Sequence, residues 1–203
     1  SLSMRTKWEE GNDQYVVKSP LSGVITAMAP VDDVRDVVTT LLKKDIDSQL
    51  VLIKLNDKNR LGGSIFSEVY NQTVQETPDV DSAEIFIKMF KLTQSLIKEG
   101  SIDALHDVSD GGLVSAICEL AFTARTGISI NLDSLVKDES LLNEVLFNEE
   151  IGLILQIDKS KINDITNQFN EQGLNVCVLG KLNTNDVLEI DLDDKTIFSD
   201  SVA

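Results

Sequence analysis

Apolar positions along this chain follow two rhythms, one with the period of a helix and one made of short unbroken runs. Leu50–Leu55 (LVLIKL) is a run bounded by polar residues and predicts a core strand; residues 21–30 (LSGVITAMAP) predict a buried strand as well. Between them Val34, Val37, Val38, Leu41 and Leu42 recur at helical spacing, so a helix capped by Asp32 is expected through about Lys44.

After Leu55 comes a turn-rich stretch, NDKNRLGGS, then a short helix expected over Ser64–Gln72 and an extended TPDVD segment containing Pro78. Asp81 or Ser82 is placed to cap a longer helix to about Glu99, with Phe86, Met89, Phe90, Thr93, Leu96 and Ile97 on one face and Gly100 as its stop. Ala104–Asp107 reads as a short strand, Gly111–Thr126 as a helix closed by Gly127, and Ile128–Leu132 as an alternating strand. A helical turn near Leu141–Phe147 follows, then a strand at Ile151–Ile157, a helix at Lys159–Gln172 and a strand at Leu174–Lys181. Val187–Leu192 and Thr196–Ser199 form a weak terminal pair.

Strands and helices alternate throughout, which predicts an α/β or mixed α+β fold, a sandwich-like mixed sheet with helices packed on it. Residues 1–45 hold too few elements to close a core and read as the remnant of a preceding domain. Residues 46–203 read as one self-contained subdomain with a terminal extension.

Composition narrows the function. The formal charge of −16 repels a phosphate backbone, so free nucleic acid is not an expected partner. A phosphorylated substrate would need a metal ion in between or basic residues from elsewhere, although solubility alone also accounts for the acidity. No apolar run is long enough to span a bilayer, and no secretory signal is visible, so no membrane partner is expected. Cys118 (AICEL) and Cys177 (NVCVL) sit in apolar surroundings and read as two buried thiols of a reducing compartment, the cytosol.

Two loops could carry chemistry. In LHDVSDGGL, Leu105–Leu113, a short strand ends in Asp107, and Ser109 and Asp110 precede two glycines and an apolar helix. Asp110 is a suitable N-cap, and Gly111 and Gly112 leave the first-turn amides open to an anion such as phosphate. Asp107 offers a hard oxygen to Mg²⁺, and Ser109 a hydroxyl to a phosphate or ribose. A capped helix after a tight turn, with Asp110 structural and Asp107 solvated, accounts for the same residues. The second loop, RLGGS at Arg60–Ser64, also sets a double glycine before a helix, with Ser64 as cap and Arg60 as a source of positive charge. Close strand–helix packing explains its glycines equally well. His106 is the only histidine, which excludes a multi-histidine metal site within the chain, and it should face away from Asp107 as a packed or hydrogen-bonded group. The pairs Glu9-Glu10, Glu149-Glu150 and Asp193-Asp194 read as solvated faces or turns.

Several motifs occur in one order: SLSMRTKWEEG from Ser1, SPLSGVITAMAPVDDVR from Ser19, NRLGGSIFSEVYNQ from Asn59, PDVD from Pro78, HDVSDGGL from His106 and LFNEEIG from Leu146. Over about residues 1–182 the chain thereby resembles the large form of phosphoribosylformylglycinamidine synthase, chiefly the C-terminal subdomain of the second synthetase half. The resemblance implies an ATP-dependent, glutamine-dependent carbon–nitrogen ligase of purine biosynthesis, in which ATP activates a formamide oxygen and ammonia displaces the phosphate. It assigns Asp107 to Mg²⁺ and Ser109 to ATP, and no catalytic residue to this chain.

The family's other metal ligands and its synthetase histidine are expected before residue 1, and its glutaminase cysteine after residue 203. The isolated chain is therefore expected to be inactive, with an incomplete ATP and Mg²⁺ site. Its partners are the missing synthetase and glutaminase domains and a small-molecule nucleotide substrate, and apolar surface left by truncation would favour artificial self-association. Two other functions fit the motifs: a scaffold half holding a structural nucleotide, and another ATP enzyme related to aminoimidazole ribonucleotide synthetase.

Overall fold

The computed structural model describes residues 5–18, 24–74 and 76–202. It divides into two compact units, residues 1–34 and 35–203. In the first, β1 (Arg5–Glu10) and β2 (Asp13–Lys18) form an antiparallel hairpin in which Glu10 pairs with Asp13 across a Gly11-Asn12 turn. Trp8 and Tyr15 face each other in this register and stack with ring centroids 5.3 Å apart.

The second unit is built on a seven-stranded sheet of order β4-β6-β3-β7-β5-β8-β9. Its strands are β3 (Ser48–Lys54), β4 (Ala104–Val108), β5 (Gly127–Asn131), β6 (Gly152–Asp158), β7 (Asn175–Asn183), β8 (Val187–Leu192) and β9 (Lys195–Ser201). All neighbours are antiparallel except β5 and β8, which run parallel, so the sheet is mixed. The helices are α1 (Ile65–Val69), α2 (Ala83–Lys98), α3 (Gly112–Ala124), α4 (Leu142–Phe147) and α5 (Ile162–Glu171). Leu50 and Leu52 of β3 join the core beneath α3 and α4, whereas Val51 and Ile53 join a second core with Met89 and Leu96 of α2 and Phe169 of α5.

Coverage on both faces explains why β3 and β6 read as continuous apolar runs. In β8 only alternate residues, Leu188, Ile190 and Leu192, are buried, as in a strand covered on one side. β8 and β9 pair with each other as expected, and the parallel pairing of β8 with β5 joins that pair to the main sheet.

Four expectations fail, three of them in the first half of the chain. Residues 24–30 form no strand, and Val24 is 98% exposed; residues 21–23 of that expectation lie outside the described residues. The helix expected from Asp32 to Lys44 is only a 3-10 turn at Val34–Asp36. β-branched valines at three of its five apolar positions favour helix poorly, and tertiary bonds hold the remainder in extended form. The buried Gln156 accepts from Lys43 N (2.8 Å) and donates to Lys43 O (2.7 Å), and Thr39 O accepts from Leu105 N on the outer edge of β4.

In α2, capped by Ser82 as expected, the inner face carries Met89, Thr93 and Leu96, and Phe86 and Phe90 point outward. Finally, α3 ends at Ala124 with Arg125 in the left-handed conformation (φ 48°), and Gly127 opens β5 instead of closing the helix. Cys118 and Cys177 are free and half-buried, and burial pushes both thiols up from their ordinary pKa.

Candidate functional site

Strand β4 delivers the HDVSDGGL loop. Alternation along the strand buries His106 and exposes Asp107, whose side chain is 70% accessible. His106 is fixed as a hydrogen-bonded group: Nδ1 lies 2.6 Å from Asp107 O, and Nε2 lies 2.8 Å from Glu119 Oε2 of α3. Past Val108 the chain turns sharply, and Ser109 O accepts from Gly112 N at 2.9 Å. Ser109 and Asp110 are exposed, so the loop presents Asp107 and Ser109, two residues apart, to solvent.

The helix start differs from expectation. Gly111, with φ 80°, is the N-cap of α3, and no side chain caps it, so Asp110 does not fill that role. Gly112 also has positive φ, 70°, and a Cβ there would stand 2.5 Å from Asn148 O, so the loop is pressed against the backbone that follows α4. The Gly111 amide is not open to an outside anion. It donates to Glu149 Oε1 at 2.9 Å, and the same oxygen accepts from Ile65 N, the first residue of α1, at 2.9 Å.

The RLGGS loop reaches this junction from the other side. Ser64 caps α1 as expected, its Oγ accepting from Ser67 N at 3.2 Å. Gly62 approaches the backbone closely, donating to Glu76 O at 2.8 Å where a Cβ would stand 2.4 Å from that oxygen, so close packing explains this glycine. Arg60 offers no charge to a ligand. Its Nε donates to Glu150 Oε1 at 2.5 Å and its Nη2 to Glu150 Oε2 at 2.7 Å, in a bidentate pair extended by Asp81 at 3.0 Å. The Arg60 side chain is 10% accessible and that of Glu150 2%.

Burial pushes the Glu150 carboxyl up, but the Arg60 donors outweigh it and hold the group below its ordinary pKa; the hydrogen bond to Glu150 raises Arg60 correspondingly. Glu150 is thus no solvated acid. Glu9-Glu10 and the Asp193-Asp194 turn are exposed.

Residues 148–150 organise the site, and the sequence reading missed them. Asn148 Nδ2 donates to Asn59 Oδ1 (3.3 Å), Glu149 takes the two helix-start amides, and Glu150 holds Arg60. A usable signal was present: NEE lies directly between the apolar runs VLF and IGLIL, where solvated carboxylates are poorly placed. Beside this junction Lys54 Nζ donates to Asn59 Oδ1 at 2.8 Å, and burial lowers its pKa.

For a divalent metal the residues present are insufficient. Among the described residues no group of three or more His, Cys, Asp and Glu side chains is placed to hold an ion, and Asp107 brings one exposed carboxylate. A cleft of about 850 Å³ between residues 35–46 and the turn after α2 contains no residue of the HDVSDGGL loop. Among the described residues no helix is long and apolar enough to cross a membrane.

Comparison with known proteins places this geometry. The fold is similar to that of Thermotoga maritima PurL complexed with ATP (TM-score 0.66, 15% identity, 83% of this chain and 27% of that one). It is similar too to the same protein complexed with FGAR (TM-score 0.67, 16% identity, 93% and 30%). The hydrogenase maturation protein HypE in complex with ATP is a more remote likeness (TM-score 0.52, 14% identity, 75% and 50%). The chain spans under a third of the length of the Thermotoga proteins it matches. The family model for the C-terminal domain of AIR synthase related proteins matches residues 47–193, and the chain belongs to that family.

Proposed function

We propose that this chain is the C-terminal subdomain of a large-form phosphoribosylformylglycinamidine synthase, with Asp107 and Ser109 contributing to a Mg²⁺-nucleotide site that other parts of a longer protein complete. The observation that carries this is the HDVSDGGL loop: it leaves Asp107 and Ser109 exposed together while Gly111 and Gly112 are pinned to the body of the domain. A fixed backbone presenting two oxygen-bearing side chains suits a polyphosphate with its metal, because little ordering remains to be done on binding. Thermotoga PurL, of similar fold, has been solved with ATP, AMPPCP and ADP, and with FGAR. The order of motifs from Ser1 to Gly152 supports the same family member.

Under this proposal the parent enzyme transfers ammonia from glutamine to a formamide that ATP has activated. Residues 1–45 belong to the preceding subdomain and residues 46–203 to this one, the parent works in the cytosol, and the isolated chain has no activity.

Titration of Mg-ATP into the isotopically labelled chain, followed by amide NMR, tests the nucleotide contact. Weak binding should shift resonances of residues 107–112, and Asp107→Ala should abolish the shifts. Because the isolated chain holds only part of the site, the overturning result is a complete enzyme in which Asp107→Ala binds Mg-ATP as tightly as wild type.

A further inference from the structure

We propose that Glu149 is a positioning residue that locks the two double-glycine loops into one unit; its link to a ligand rests on the nucleotide function proposed above. One oxygen, Oε1, accepts the amide of Ile65 from the NRLGGS loop and the amide of Gly111 from the HDVSDGGL loop, each at 2.9 Å. These are donors from helix starts far apart in sequence, and a carboxylate is a strong acceptor for both.

The contacts on either side are independent of this side chain. Gly112 packs on the backbone of residues 146–148, Asn148 reaches Asn59, and Glu150 holds Arg60. Removing the Glu149 carboxylate therefore leaves these neighbouring contacts in place and releases the two amides. Gly111 has no side-chain cap to replace it. With two successive glycines at positive φ, a released loop would move, and Asp107 and Ser109 would move with it. Glu149 thus acts through the loop backbone and not on a ligand, and it ties what happens at Ser109 to the start of α1.

The consequence is a correlation that a merely structural carboxylate would not produce. In the wild-type chain, Mg-ATP should shift the amides of Gly111 and Ile65 together, with one titration curve. In Glu149→Ala the Ile65 amide should no longer follow, and exchange at both amides should accelerate at least about tenfold, as for a lost hydrogen bond to a charged acceptor. Amides of β3 and β6 should keep their protection, and Glu149→Gln, which retains an oxygen acceptor, should restore most of both effects.

Unchanged exchange at either amide in Glu149→Ala overturns the clasp. Accelerated exchange with Ile65 still following Mg-ATP overturns the positioning role. If the isolated chain shows no Mg-ATP shifts, the same titration is read in the complete enzyme, where Gly111 and Ile65 moving independently overturns the positioning role. If the complete enzyme shows no shifts either, the nucleotide assignment fails, and the exchange pattern alone decides whether Glu149 joins the loops.

Discussion

The two double-glycine loops have nearly the same local pattern and opposite fates. In RLGGS the charged residue before the glycines is turned inward, where Glu150 and Asp81 engage it. In HDVSDGG the acids and the serine before the glycines stay outside. Local sequence sets the turn and the helix start in both. What lies across the fold decides whether the polar residue becomes a buried strut or an exposed contact: Glu150 draws Arg60 inward, whereas Glu149 takes only the Gly111 amide and leaves the side chains before it outside.

The comparison is broken most severely by removing the strut. Glu150→Ala leaves a guanidinium in a nearly closed site with only Asp81 and the Asp79 carbonyl to meet it, and should cost about 3 kcal/mol or more, the usual penalty for halving a buried pair. Urea unfolding would show this as a lowered midpoint with little change in slope. Next comes Gly112→Ala, where a side chain at positive φ also meets the backbone of residues 146–148. A loss of about 2 kcal/mol is expected from strain and overpacking together. Gly63→Ala, also at positive φ but meeting only Thr77 Cγ2 at 3.9 Å, an ordinary contact, should lose only about 1 kcal/mol. A Gly63 variant as damaging as Gly112 would mean that strain alone governs both loops.

Acid should sharpen the contrast further. The Glu150 carboxyl is held below its ordinary value, so the stability it contributes is complete above an unfolded pKa of about 4.3 and is lost as pH falls through the folded value. The urea midpoint should therefore decline below about pH 4. Glu150→Gln should remove part of that decline, whereas Asp107→Ala should leave it intact. The smallest effect belongs to Asp107→Ala itself: within about 0.5 kcal/mol of wild type in urea, as for an exposed surface group. A large loss there would show that Asp107 is a structural residue.

Much of the fold was legible because its signals are local. β3 and β6 arise from apolar runs and α2, α3 and α5 from periodic stripes, while Ser64 and Ser82 cap α1 and α2. Failures came where a distant residue intervened. Val34, Val37, Val38, Leu41 and Leu42 have helical spacing, yet Gln156 and β4 hold the segment open. Phe86 and Phe90 fit the helical stripe but fall on its outer side, a choice of face that spacing alone leaves open. In the site, the exposure of Asp107 and the turn at Gly111 and Gly112 were readable from strand alternation and glycine. The burial of Arg60 was not, because its partner lies ninety residues away, and the Asp110 cap failed because Glu149 supplies the acceptor instead.

The strand order has a consequence for how the protein is made. β3 occupies the middle of the sheet, with Leu50 opposite Gln156 on one side and Gly180 on the other, and β4 pairs only with β6. As the chain leaves the ribosome at about 5–20 residues per second, no strand of this sheet finds a partner until β6 has emerged. For many seconds LVLIK travels as an unpaired apolar segment, which exposes the nascent chain to chaperones and delays nearly the whole folding of this sheet until β6 and the strands after it have emerged.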